Sequence, residues 1–367
     1  MAGSSSFAKF RNRLLASPRF QRAAETFWPT RWVARRSARR LFDLIGGFVS
    51  SQVLAACLEL DLLEALRDGP RPCAALAEAT GIAPERFAVL AEAAAVIGLV
   101  EFDGREQIRL GELGAMLLGN PSLPDMIRHH AVFYGDLADP VALLRGQTEP
   151  ALARFWPYAG RGGAGVGADA ASAYTELMAA TQPMVSTQVL RAVPLGGYRH
   201  IMDLGGGNGA FLRAVAERHQ KPRLSLVDLP AVCSLARRSL ADAGLGERIA
   251  IRPADFLADE LPRDADLMTL IRIVHDHDDA AVQGLFSRIH AALPPGGQLL
   301  IAEPMRATPG APLFGGVYFS FYLMAMGSGR PRRPDEIVEM LTKAGFRDCR
   351  LRRTAVPMVA QVMVATA

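Results

Sequence analysis

The stretch Ile201-Met-Asp-Leu-Gly-Gly-Gly-Asn-Gly209 constrains this chain more than any other: an apolar run meets an acid, breaks into glycines and opens a helix. Glycine lets a backbone turn sharply and lets a nucleotide-like ligand come close to it. Strand, glycine turn and helix in that order predict an α/β fold with its ligand at the carboxyl ends of parallel strands. The rhythm continues downstream. Candidate strands Ile201–Leu204, Leu224–Asp228, Ile249–Arg252, Leu267–Val274 and Gln298–Glu303 alternate with helical stretches Ala210–Arg218, Ala231–Ala243, Asp279–Leu293 and Pro334–Ala344, the pattern of a parallel sheet covered on both faces. Arg347–Arg352 and Val359–Ala365 are too close in sequence for a parallel crossover and predict an antiparallel hairpin at the sheet edge.

Gly205, Gly207 and Ala210 also satisfy the looser spacing of a dinucleotide site. Two details favour S-adenosylmethionine. Asp203 stands two residues before the first glycine, where an acid can face an ammonium group but would repel a pyrophosphate, and the compact turn ends at Gly209. Asp228, followed by Leu229, ends the second strand and can accept from ribose hydroxyls. Asp255-Phe256 ends the third, where an acid can accept from an adenine amino group and a ring can pack on the base. Acids at strand ends also serve as caps and turn residues, a reading that three successive strand ends in this order weaken.

After the fourth strand comes Ile273-Val-His-Asp-His-Asp-Asp279. His275 beside Asp276 suits a general base whose ring a carboxylate orients, and near its ordinary pKa of about 6.5 it would accept a proton around neutrality. A metal site from His275, His277, Asp278 and Asp279 competes, although Asp278 and Asp279 also fit helix N-terminal caps. Glu303 ends the fifth strand and can either reach His275 or stay solvated at a loop start. His129-His130 has no ligand spacing around it and reads as surface or core. Tyr318, Phe319, Phe321, Tyr322, Met324 and Met326 form an aromatic and Met cluster that fits either core or the lining of a large apolar pocket.

At 367 residues two domains are expected. Residues 1–40 form a basic arm: from Lys9 to Arg40 ten basic residues face one acid, Glu25, interleaved with Phe7, Phe10, Phe20, Phe27, Trp28 and Trp32. Such a mixture suits an anionic lipid surface or a helical arm packed on a partner subunit. Residues 41–167 read as a helical, winged-helix-like domain of short helices followed by a hairpin, with Gly160–Gly167 as a flexible end; 168–367 form the ligand-binding domain. The helix after Pro84 carries two Glu and one Arg among Ala and Val, and that face cannot track phosphates, so no nucleic-acid partner is expected. Cys57, Cys73, Cys233 and Cys349 stand far apart, which excludes a disulfide scaffold. No run approaches eighteen uninterrupted apolar residues, so no spanning helix is expected.

The set DLGGGNG, LVDLP, IVHDHDD, LPPGG and IAEP, in this order, resembles the small-molecule S-adenosylmethionine-dependent O-methyltransferases of the plant caffeate and bacterial polyketide type. The resemblance implies a Rossmann-like seven-stranded, mostly parallel sheet with an antiparallel C-terminal strand, an N-terminal dimerisation domain and a homodimer. It implies His275 as base, with Asp276 and Glu303 beside it; cofactor contacts at Gly205, Asp228, Asp255 and Phe256; and Arg272 near the methionine end. Two departures stand out. The Trp that follows His-Asp in the family is His277 here, and the second flanking carboxylate faces Gly327-Ser-Gly-Arg-Pro331 and is missing, so the base is expected to be supported from one side. The opening residues 7–21, with Leu41-Phe-Asp-Leu44 and Ser51-Gln-Val53, resemble the carotenoid branch in purple phototrophic bacteria, which methylates a tertiary hydroxyl at the end of a polyene. That implies a lipophilic acceptor and a cytoplasmic enzyme peripheral to the inner, photosynthetic membrane. An aromatic polyketide or tetrapyrrole hydroxyl is the alternative acceptor, and a ligand-sensing regulator or a nicotinamide reductase are readings from other classes.

Overall fold

The computed structural model describes residues 2–155, 168–307 and 313–367. Its contacts divide the chain into two units, Met1–Asn120 and Pro121–Ala367.

The first unit opens with three helices, α1 (Ala2–Leu15), α2 (Pro18–Thr26) and α3 (Trp28–Glu59). Ser17 accepts from the Phe20 amide to start α2, and Pro18 and Pro29 sit in first turns, where a missing N–H costs nothing. The expected boundary at 40/41 therefore falls inside one continuous helix. The helix α3 also contains a segment long and apolar enough to cross a membrane by length and composition. Requiring an uninterrupted apolar run hid it, because Gly46, Gly47, Ser50 and Ser51 interrupt the run but not the helix. There follow α4 (Leu62–Ala65), β1 (Arg71–Pro72), α5 (Cys73–Thr80), α6 (Pro84–Val96), β2 (Val100–Asp103), β3 (Gln107–Leu110) and α7 (Glu112–Leu118), with the three strands paired antiparallel in the order β1-β3-β2. This is the winged-helix order, its core held by Cys57, Leu62, Phe87 and Ile108.

The second unit begins earlier than residue 168. Helices α8 (Ser122–Asp136), α9 (Pro140–Leu144) and α10 (Ala151–Phe155) belong to it, because Phe133, Leu143 and Leu152 share a core with Leu323 and Met326 far along the chain. The stretch Gly160–Gly167 lies outside the described residues. After α11 (Ala168–Ala192) come β4 (His200–Leu204), α12 (Ala210–Arg218), β5 (Arg223–Asp228), α13 (Pro230–Asp242), β6 (Ile249–Pro253), β7 (Leu267–Ile271), α14 (Asp279–Ala292), β8 (Gln298–Glu303), α15 (Leu313–Met326), α16 (Pro334–Lys343), β9 (Arg347–Arg352) and β10 (Gln361–Thr366). The seven strands run in the order β6-β5-β4-β7-β8-β10-β9, with β10 antiparallel to both neighbours. Alternating strand residues fill two cores. Ile201, Leu300 and Ala302 face α11, α12 and α13; Met202, Leu299 and Ile301 face α14 and α16. The strand β7 stops at Ile271 rather than running to Val274, because Arg272 takes a left-handed φ of 59° and a short 3-10 turn, Val274–Asp276, follows.

Candidate functional site

The carboxyl ends of β4, β5, β6 and β7 border a cavity open to solvent. Its floor is the glycine turn. Gly205, Gly207 and Gly209 all have positive φ, of 71°, 58° and 85°. A Cβ on Gly205 would overlap the Ile273 side chain, and one on Gly206 would press on Leu226, so larger residues would close this floor. Gly209 does not line the cavity. It starts α12 in a conformation that favours glycine, with Leu240 packed where a side chain would go.

Around this floor stand Asp203, Asp228, Leu229, Asp255, Phe256 and Arg272. Asp203 is fully buried and accepts from Thr269 Oγ1 at 2.5 Å; burial pushes its pKa up to about 7, with Asp228 adding to the rise. Asp228 takes the Gly207 amide on one oxygen (2.9 Å) and the Leu229 amide on the other (2.8 Å), which leaves each oxygen a lone pair. Burial raises it to about 6 against those two donors. One oxygen of Asp255 accepts from the Leu257 amide at 2.9 Å. Arg272 is anchored to α11 through Thr181 Oγ1 and the Met178 carbonyl, both at 2.6 Å. That helix also supplies Thr175, Met178, Ala179 and Gln182 to the cavity wall. No sequence motif marks these residues: α11 also buries Thr181, Ser186 and Gln188, so nothing in its pattern singles out the four that reach the cavity.

Asp276 and His277 complete the cavity wall, with His275 beside Asp276 and Glu303 beside His275. His275 is clasped from both sides: Nε2 lies 3.1 Å from Asp276 Oδ1, and Nδ1 lies 3.3 Å from Glu303 Oε2. The expected one-sided support is therefore corrected. Adjacent Asp276 and the end of β8 place a carboxylate at each ring nitrogen without the absent family residue. Glu303 Oε2 also accepts from the His275 amide at 2.9 Å, whereas its Oε1 is buried with no hydrogen-bond partner among the described residues. An ordinary histidine pKa is corrected as well. Burial works against the charged ring, but Asp276 and then Glu303 overcome it and raise the pKa to about 10. His277, in the Trp position, sets its ring edge-on to Phe256 at 6.1 Å, and burial lowers its pKa.

Arg332 was not legible in the sequence. Its side chain is wholly buried and donates to the carbonyls of Val274 (2.7 Å) and His277 (2.8 Å), one on each side of His275, and to Asp279 at 2.7 Å. Gly327–Pro331 supplies no carboxylate and packs instead as a backbone buttress: Ser328 Oγ donates to the Asp276 carbonyl, and the Gly329 amide donates to Asp278. Asp278 thus begins α14 without its side chain capping that helix, and Asp279 pairs with Arg330 and Arg332; the competing metal reading loses these two carboxylates to other partners. His129 and His130 belong to neither role expected of them alone. They hydrogen-bond Tyr322 (2.9 Å) and Tyr318 (2.6 Å), joining α8 to the aromatic helix α15, whose Phe319 ring lies 6.4 Å from that of His275.

A glycine-floored cleft at the carboxyl edge of this sheet, beside a clasped histidine, defines a class that comparison with known proteins names. The O-methyltransferase domain pattern matches residues 134–347 and the O-methyltransferase dimerisation domain pattern matches residues 42–120; the chain belongs to the O-methyltransferase family. It is 43% identical over 356 residues to a demethylspheroidene O-methyltransferase of Rhodobacter capsulatus, covering 97% of this chain and 89% of that one. It is 42% identical to the enzyme of the same name from Cereibacter sphaeroides, covering 96% and 93%. Human N-acetylserotonin methyltransferase, solved in complex with S-adenosylmethionine, superposes with a TM-score of 0.73 at 26% identity over 90% of this chain and 97% of that one. Family membership sets aside the regulator and nicotinamide readings.

Proposed function

We propose that the chain transfers the methyl group of S-adenosylmethionine to the tertiary hydroxyl of an acyclic carotenoid of the demethylspheroidene type, as a homodimer whose lipophilic acceptor resides in the inner, photosynthetic membrane. The observation that carries the reading is His275, held between two carboxylates at the edge of a glycine-floored cleft. The 97% coverage by the Rhodobacter capsulatus relative leaves at most about eleven residues unmatched, so most of the basic arm is shared with it.

The cleft fits the donor: a floor that side chains would fill, Asp203 for an ammonium group, Asp228 for ribose hydroxyls, Asp255 and Phe256 for adenine, and Arg272 at the methionine end. When bound, S-adenosylmethionine supplies an electrophilic methyl group on a cationic sulfur. The chain supplies alignment, dryness and a place for one proton. The bond from the acceptor oxygen to the methyl carbon would form as that carbon's bond to sulfur breaks, leaving a neutral thioether, and as the hydroxyl proton leaves. A tertiary alcohol is far less acidic than a phenol, whose pKa is about 10, so no side chain removes its proton beforehand. His275 takes that proton as methyl transfer proceeds, and Asp276 and Glu303 stabilise the resulting charge on the ring. Because those carboxylates hold the resting ring protonated, the neutral ring is the minor form at pH 7. The base is therefore the His275–Asp276–Glu303 unit, and its competence rises with pH.

Purified protein incubated with methyl-labelled donor and detergent-dispersed demethylspheroidene should yield labelled spheroidene. Label entering an aromatic hydroxyl while the carotenoid stays unlabelled would overturn the acceptor.

A further inference from the structure

We propose that the N-terminal arm docks this enzyme on an anionic lipid bilayer, through the face of α3 that carries Trp28, Arg31, Trp32 and Arg35. This deepens the reading of a membrane-dissolved acceptor, yet it rests on separate observations. Those four residues, with Pro29, line one open groove on the arm. Helical spacing places them on a common face, indole rings alternating with guanidinium groups. Trp28 is 81% exposed and Trp32 is 64% exposed, so nothing within the described residues covers them.

Charge decides the occupant. None of the ten basic residues between Lys9 and Arg40 forms an ion pair among the described residues, although the rest of the chain carries a net negative charge. A surface that keeps so many cations unneutralised is complementary to a dense anionic plane, and interfacial Trp suits the boundary between head groups and acyl chains. A second copy of the chain is a poorer occupant, because its own arm would bring the same charge. The dimerisation match begins only at residue 42 and so accounts for the exposed apolar side chains of α3 from Phe42 onward but not for those before it.

The test is sedimentation of the full chain with vesicles free of any acceptor, comparing phosphatidylglycerol-containing with pure phosphatidylcholine membranes. Binding should require the anionic lipid and weaken with added salt. Each basic residue near the surface contributes about fivefold to partitioning, so Arg31→Glu with Arg35→Glu should reduce it by more than tenfold. Trp28→Ala with Trp32→Ala should reduce it while leaving binding to phosphatidylglycerol salt-sensitive. Both pairs should retain donor affinity and dimeric mass. Equal binding to neutral vesicles, no binding, or variants that bind as well as the parent would overturn the proposal, and so would variants that turn monomeric, since the arm would then belong to the partner subunit. Because the vesicles hold no acceptor, failure here leaves carotenoid methylation in detergent standing, and failure of that methylation leaves the docking result standing.

Discussion

Two carboxylates on one imidazole give His275 a pH signature that a solitary base would lack. A raised pKa means that the ring is charged throughout the neutral range, so kcat/KM should climb about tenfold per unit from pH 7 toward 9 instead of levelling above pH 6.5. A flat profile above pH 7 in a steady-state series would remove the clasped ring as the base. Replacing His275 with Gln should retain donor binding by calorimetry and reduce kcat by at least about a hundredfold; an unchanged kcat would exclude it from proton transfer. Asp203 carries the opposite kind of cost. Its native pKa is raised to about 7, so it is protonated in both states below pH 3.8, and above that the unfolded chain gains by ionising it while the native state does not. That loss is complete once pH exceeds 7. Asp203→Asn should therefore raise the stability of the ligand-free protein at pH 8 by about 1–3 kcal/mol, seen as a higher thermal midpoint, and weaken donor affinity at the same pH. A lowered midpoint would show that the carboxylate stabilises this pocket. The sequence exposed these residues because each ends a strand or sits in a short motif. Arg332 stayed hidden because its partners at Val274 and His277 are more than fifty residues away, and one of three arginines in Arg330-Pro-Arg-Arg333 looks solvated until the fold closes over it.

Among the elements, the strands and helices of the sheet were legible because their apolar periods differ and each turn is marked by glycine, proline or acid. The misplaced edges have local causes. One is the left-handed Arg272 that ends β7; another is α3, whose paired glycines do not break it because eighteen preceding and twelve following residues keep helical bonds through them. The third is the unit boundary, which depends on His129 and His130 meeting tyrosines of α15, a pairing that no spacing along the chain announces. The buttress at Gly327–Pro331 was legible only as a missing acid, whereas its function lies in backbone geometry. Gly329 has a φ of 75°, and a Cβ there would overlap the carbonyl of His275 and press on Asp276. Gly329→Ala should force the Gly327–Pro331 turn and the His275–Asp276 backbone apart. Its kcat should fall about tenfold or more, corresponding to a barrier increase of about 1.4 kcal/mol, with donor KM changed less because the glycine floor, which follows β4, is untouched and of the pressed residues only Asp276 lines the donor cavity. Equal changes in both would place the damage in overall folding rather than in the turn.

For the whole molecule, the apolar surface that a single chain leaves uncovered on α3 needs an explanation. Leu44 is 77% exposed, Ile45 62% and Phe48 70%, a concentration that soluble proteins rarely leave bare. These residues lie within the dimerisation match, and a second subunit is the cover that match implies. Since no described residue of the same chain buries them, charging them should damage association and spare the fold. Leu44→Glu with Phe48→Glu would place two carboxylates on each subunit in an apolar interface, at about 3 kcal/mol apiece. That weakens dimerisation by at least roughly four orders of magnitude. Light scattering of the double variant at micromolar concentration should give the mass of one chain, about half that of the parent, while far-ultraviolet dichroism stays unchanged. The same segment of α3 is apolar enough to enter a bilayer, and the experiment separates the two covers: a variant that keeps the parent's mass but loses its association with lipid would assign this face to the membrane and leave the subunit contact to be sought on α6 and α7, where Val96 and Met116 are also exposed.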